Sequence, residues 1–299
     1  MKTFPITNTV NQVITMENHW DTNSFNFDHL VDLSDKDSQL ISLVSFVGNS
    51  ELSGYAMTDE LKQHIKESDL PKHFSSSLIY HSTVVVPDEF RHGLVTKRLL
   101  NAIEKTPSYI ENCTVDELYD LIKGQDSGER VWKNMYHALL SLLYSEIQNK
   151  AIYSLASNYA ENQELKRIFN CIKEDEIRHV DGFFNEIKSL CEYDSIHIDR
   201  FIKSLNEDTI GYQVQFHNTY KKTIAHVSFL FGTESIITNC TKFYNKCEKL
   251  FGKELMPVVE KNNLMDNRKY LFTNMDKKEY ATLFSTQIKV NRNSHLIKK

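Results

Sequence analysis

Glycine and proline are both scarce, at 9 and 5 residues in a chain of 299. Folds built from many tight turns need more of these two residues, so the shortage disfavours a β-sandwich or barrel and favours long helices. The five cysteines (Cys113, Cys171, Cys191, Cys240 and Cys247) are an odd number and form no CxxC pair. That pattern argues against a zinc knuckle or a disulfide framework and fits reduced thiols in a cytoplasmic protein. Long apolar runs are missing too: nothing reaches membrane-spanning length, and the start, MKTFPITNTVNQVITMENHW, lacks the apolar stretch of a signal peptide. No long basic run interrupts the body of the chain, whose formal net charge is −5. Nucleic acid and membrane are therefore not expected as partners. Nor is there a glycine-rich dinucleotide or flavin fingerprint, so any electrons must come from elsewhere.

What remains is an ordinary globular composition, 40% hydrophobic and 25% charged. Residues 1–36 are polar and read as an irregular arm. Helical patterning starts at SQLISLVSFVGNSELSGYAMTDELKQHIKES and stops at Pro71. A second helical stretch runs through SLIYHSTVVVPDEFRHGLVTKRLLNAIEK, although its STVVVP segment also has the β-branched character of a strand. We read it as helix kinked at Pro87. Two further long patterns follow, VWKNMYHALLSLLYSEIQNKAIYSLASNYA and ELKRIFNCIKEDEIRHVDGFFNEIKSLCEY. Patterning continues to about residue 262, so the main helical domain is expected over 37–262, with a C-terminal extension over 263–299.

Against this background one repetition stands out. DEFRH occupies residues 88–92 and DEIRH residues 175–179. Average residue usage puts such a coincidence at roughly one in a thousand chains of this size. Each helical residue advances about 100° around the axis, so the face of every acid can be worked out. Within roughly 40° of Glu176 lie Leu165, Phe169, Ile172, Val180, Phe183, Ile187 and Leu190, with His179 about 60° away. Glu89 shares its face with Leu78, Val85, Leu100 and Ile103, and His92 is again on the same side. Glu146 aligns with Leu139, Leu142 and Tyr153, and Glu51 falls among Leu40, Val44, Val47 and Tyr55. Spacing agrees: the midpoint of Glu146 and Glu176 is residue 161, in YAENQE, and that of Glu51 and Glu89 is residue 70, in DLPK. Both pairs should face each other across helical hairpins.

Four glutamates and two histidines thus point into one apolar core. Burying so many carboxylates without a cation is too unfavourable to be incidental. One Glu from each of two helices, plus Glu-x-x-His from each of two others, is the donor set of di-iron carboxylate bundles. Candidate metal ligands are therefore Glu51, Glu89, His92, Glu146, Glu176 and His179. Asp88 and Asp175 each precede a ligand glutamate and can take the free ring N–H of the opposite histidine, pairing Asp88 with His179 and Asp175 with His92. Arg91 and Arg178 can balance that acidic shell. The helix faces offer Val47, Tyr55, Val85, Leu142, Asn149, Lys150, Tyr153 and Ile172 as pocket residues. Lys150 has the rival reading of a side chain that lies along the bundle and reaches solvent. Among the other histidines, His81 and His226 lie in the more apolar contexts and default to structural roles.

The D/E-E-x-R-H motif in both copies resembles that of the ferritin-like di-iron oxidases. These include multicomponent monooxygenases, acyl-carrier-protein desaturases, ribonucleotide reductase small subunits and AurF-like arylamine N-oxygenases. The resemblance covers about residues 37–190, with intervals of 38, 57 and 30 between the ligand glutamates. It implies an all-α, ferritin-like four-helix bundle with additional C-terminal helices. It further implies two iron ions (manganese suits the same donors), O2 as co-substrate and an external reductase or ferredoxin. The implied reaction is hydroxylation or N-oxygenation of a small or carrier-bound organic molecule. Desaturation of an acyl chain and metal handling or oxidant defence stay open as alternatives, and so does a homodimer. Where radical-type reductases carry tyrosine, four residues after the first histidine, this chain has Thr96.

Overall fold

A computed structural model describes residues 20–30, 33–51, 54–68, 78, 80–104, 132–206, 227, 230–231 and 234–255. Among these residues no strand occurs, and seven α-helices carry the architecture. They are α1 (Asp35–Glu51), α2 (Gly54–Glu67), α3 (Val86–Glu104), α4 (Met135–Tyr159), α5 (Gln163–Tyr193), α6 (Ile196–Asn206) and α7 (Glu234–Phe251). No helix among the described residues is long and apolar enough to cross a membrane. Residues 105–131 and 263–299, and the DLPK turn, lie outside the described residues, as does His226.

The longest helices form because their starts are capped and their apolar stripes are continuous. Asn134 accepts from the His137 N–H at 2.9 Å to open α4. Asn162 accepts from the N–H groups of Glu164 and Leu165 to open α5. In α5, Leu165, Ile168, Phe169 and Ile172 are buried on one side of the acidic positions, and Val180, Phe183, Ile187 and Leu190 on the other. Each such side chain stabilises the fold by roughly 1.5–3 kcal/mol on burial. At the far end of α7, Gly252 adopts φ 96°, the left-handed conformation that lets glycine close a helix.

Helices α4 and α5 pack antiparallel: Ser157 pairs with Asn170 near the loop, and Glu146 meets His179 further along. The turn between them falls at Ala160–Asn162, around the expected midpoint. Helices α1 and α3 also run antiparallel, since Glu51 lies beside His92 while Gly48 abuts Thr96. Buried Asp37, near the start of α1, joins the two hairpins. Its carboxylate accepts from the N–H groups of Glu161 and Asn162, at 2.9 and 3.0 Å. Around this frame, α6 and α7 pack through edge-on aromatic pairs, Tyr136–Phe201 and Tyr144–Phe243.

Three expectations need refinement. The first helical stretch is two elements, one ending at Glu51 and the next starting at Gly54. The STVVVP segment is helical, and its form accommodates proline. His81–Val85 makes a π-helical turn in which the Val86 N–H reaches back to the His81 carbonyl. Pro87 has no N–H and crowds the preceding turn, so a widened turn just before it relieves what an α-helix could not. The arm is also more ordered than its composition suggests. Thr22–Ser24 and Phe27–Leu30 are 3-10 turns, with Phe25 and Leu30 buried.

Candidate metal centre

The six donors come together. Two groups of ligand atoms form, each within 4.8 Å of one another: Glu51, Glu89, His92 and Glu176 in one, Glu89, Glu146, Glu176 and His179 in the other. Each group can hold a metal ion. Because Glu89 and Glu176 belong to both, the two positions are adjacent and joined by two carboxylates. Glu51 and His92 belong to the first position alone, Glu146 and His179 to the second.

The helices explain this placement. In α3 the donors follow buried Val84 and Val85 and precede Val95 and Leu99; in α5 they separate Ile172 from Val180 and Phe183. In α4, Glu146 separates Leu143 from Ile152. Among the described residues two apolar clusters therefore stand on either side of one layer of carboxylate and imidazole. All six donors are buried, His92, Glu176 and His179 completely.

Both histidines have the same polarity. Nε2 faces outward onto an aspartate: His92 meets Asp175 at 3.0 Å and His179 meets Asp88 at 3.1 Å. Nδ1 faces inward. His92 Nδ1 lies 3.3 Å from Glu176 and 3.6 Å from Glu51, and His179 Nδ1 lies 3.2 Å from Glu146 and 3.3 Å from Glu89. An aspartate on the outer nitrogen fixes the ring and leaves the inner nitrogen free to bind a cation. Arg91 pairs with Asp88, and Arg178 pairs with both aspartates, so the acidic outer shell is balanced.

The donor set fits a cation by a direct test. Glu89 Oε1, His92 Nδ1 and both oxygens of Glu176 are buried with no hydrogen-bond partner. Buried polar atoms are almost always satisfied, and four orphans spread over the two donor groups call for positive charge there. The electrostatics agree. Burial, then the Glu51, Glu176 and Glu146 carboxylates, push Glu89 well above its ordinary value. Burial and the Glu146 charge bring Glu176 to about 8. Burial opposes charge on both histidines, but the surrounding carboxylates outweigh it and raise them well above normal. At Glu146 burial acts to raise the carboxyl, but the hydrogen bond and charge of His179, with Glu176 and His81, together outweigh it and lower it.

Several contacts have no counterpart in the sequence reading. Trp20, from the arm, donates its Nε1–H to Asp175 Oδ2 at 2.8 Å, and its ring stacks parallel to His92 with centroids 6.1 Å apart. Arg91 lies over the same indole. Nothing in local spacing ties an arm residue to a helix so far along the chain. Tyr153, expected as a pocket residue, has its hydroxyl 2.9 and 3.0 Å from the two oxygens of Glu51. Its shared face with Glu146 was visible in the periodicity, but its partner was not. His81, assigned a structural role, is buried in the π-turn with Nδ1 3.0 Å from the Thr58 hydroxyl. Burial lowers it to about 4, against the pull of Glu146.

The remaining pocket candidates divide. Val47, Tyr153 and Ile172 belong to one apolar cluster, Val85 and Leu142 to the other. Asn149 is half-buried, and the Tyr55 side chain lies outside the described residues. Lys150 is half-buried. No ion pair joins Lys150 to the four glutamates. The free thiols include Cys191, pushed up to about 12 by burial, which is unsuited to nucleophilic chemistry at neutral pH. No known protein family matches this chain, and no curated protein or solved structure matches it either.

Proposed function

We propose that this protein is a non-haem di-iron oxygenase that uses O2 to hydroxylate or N-oxygenate a small organic molecule. The observation that carries the reading is the pair of donor groups sharing Glu89 and Glu176. Glu51, Glu89, His92, Glu146, Glu176 and His179 would hold two ions, which would supply two-electron chemistry toward O2. In this reading α1, α3, α4 and α5 form a ferritin-like four-helix bundle, with the donor layer at its middle.

The chain's own residues set the conditions for that chemistry. Asp88 and Asp175 hold the imidazoles by Nε2 so that Nδ1 stays directed inward. Glu89 and Glu176 link the two positions, while Glu51 and Glu146 close the outer ends. The apolar layers on either side exclude water, which strengthens every electrostatic contact inside and protects a reactive oxidant from solvent. Electrons come from an external donor protein.

The test is metal content together with the optical spectrum, recorded before and after reduction and exposure to O2. About two irons per chain are expected, with a visible absorption band that changes on oxygenation. Substrate-dependent O2 uptake separates an oxygenase from a metal-handling protein, which consumes O2 in proportion to added ferrous iron alone. Absence of bound transition metal after reconstitution refutes the proposal.

A further inference from the structure

The two metal positions share two ligands but are not equivalent, and the difference lies in what their private ligands touch. At the first position, Glu51 is held by the Tyr153 hydroxyl, 2.9 and 3.0 Å from its two oxygens. Tyr153 is completely buried, so water does not compete for that bond. His92 is held from behind by Asp175, which Trp20 holds in turn. Its inner Nδ1 has no partner in hydrogen-bond geometry, with the shared Glu176 3.3 Å away and Glu51 3.6 Å away. No hydrogen bond ties these two private ligands to each other. At the second position the private ligands are bonded to each other: His179 Nδ1 lies 3.2 Å from Glu146 Oε2, in hydrogen-bond geometry. An ion entering there must part this pair first.

We infer that the metals load in order, with the Glu51–His92 position filling first and the Glu146–His179 position forming the weaker, exchangeable one, and that Tyr153 sets this order by holding Glu51. Tyr153 is a positioning residue here, acting on metal through Glu51. A donor held in its binding geometry loses less freedom when the ion arrives, which is the general origin of preorganised affinity. The inference rests on the two-metal reading proposed above. It adds that the centre passes through a one-metal state of defined location, and that the second ion is the one lost first to a chelator.

Manganese(II) suits this donor set and reports its own surroundings by electron paramagnetic resonance. Titration of the metal-free full-length protein should show two steps separated by at least about tenfold, the scale on which outer contacts change metal affinity. One equivalent should give an uncoupled, mononuclear signal, and a second should convert it to that of an exchange-coupled pair. Glu146→Gln should keep the tight first step and lose the second, whereas Glu51→Gln should lose the tight step. Tyr153→Phe removes only the hydroxyl and should bring the two steps together, giving mixed signals at one equivalent. Its circular dichroism and melting curve, compared with wild type, show whether the fold is intact. Should that variant fail to fold, the Glu51→Gln and Glu146→Gln pair still decides the order. Failure of wild-type protein to bind any manganese overturns the two-metal reading and this inference with it. Two bound ions with unresolved steps, or a tight step that survives Glu51→Gln, overturn the loading order and leave the two-metal reading intact. A folded Tyr153→Phe with an unchanged isotherm overturns the role of Tyr153.

Discussion

Asp175→Asn tests the logic of the centre most directly. Asp175 is buried and accepts from three donors: His92 Nε2 at 3.0 Å and Trp20 Nε1 at 2.8 Å on Oδ2, and the Arg178 guanidinium on Oδ1. Asparagine keeps the shape but offers only one acceptor. If its oxygen faces His92 and Trp20, its amide N–H2 meets the Arg178 donor; if it turns over, it meets two N–H groups. Either way a donor faces a donor, and at least one charge-assisted bond is lost, worth about 1.5–3 kcal/mol. Much of that loss reaches metal through the orientation of His92, for which such outer partners typically account for roughly 10–100-fold in affinity. That range corresponds to about 1.4–2.8 kcal/mol. Competition for manganese or cobalt against a chromophoric chelator measures it, with circular dichroism as the check on folding. Trp20→Phe removes one donor from the same carboxylate and should cost no more than the lower end of that range, about 1.5 kcal/mol, because His92 and Arg178 keep their bonds to Asp175. A folded Asp175→Asn protein that binds both ions with wild-type affinity refutes the claim that the outer aspartates organise the site.

Glu89→Gln removes a carboxylate that burial and three neighbouring glutamates hold well above its ordinary pKa. The metal-free variant should therefore melt no lower than wild type, while losing the metal-induced stabilisation, about 2.7 kcal/mol at a hundredfold excess over Kd; calorimetry with and without manganese decides. Metal affinity should rise with pH. Glu176 sits at about 8 in the folded chain against 4.5 ordinarily, so its ionisation weakens the metal-free fold progressively from about pH 4.5 to 8. Ions that bind the ionised form must release this proton below pH 8, and a pH-stat at pH 7 should record about one proton or more per chain. A pH-independent affinity would contradict the assignment of Glu176 as a ligand. Gly182→Ala should destabilise the protein by roughly 1–3 kcal/mol in chemical denaturation, because the added methyl runs into the buried Tyr80 ring. An unchanged midpoint would show that Tyr80 can move aside.

The sequence by itself determined that the described chain is helical and which face each donor occupies. Few glycines and prolines, long 3.6-residue patterns and two copies of one pentapeptide sufficed, because helix periodicity ties spacing to direction. The cross-pairing of Asp88 with His179 and Asp175 with His92 was legible as well, since two antiparallel copies of DE-x-RH bring each aspartate to the other copy's ring. Periodicity says which way a side chain points but not what it meets. That Glu89 and Glu176 belong to both donor groups, rather than one each, depends on the separation and rotation of α3 and α5, which packing sets. That Tyr153 holds Glu51, and that Trp20 of a polar arm closes over Asp175, are contacts 102 and 155 residues apart along the chain. No local pattern encodes them. The π-turn at His81–Val85 arises from a conflict between Pro87 and the helix it must continue, and it became readable only once the neighbouring helices required that helix to run on. Lys150 shows the converse: helix periodicity turns it toward Glu146, yet no ion pair joins it to the four glutamates, because a long flexible stem does not end where its Cβ points.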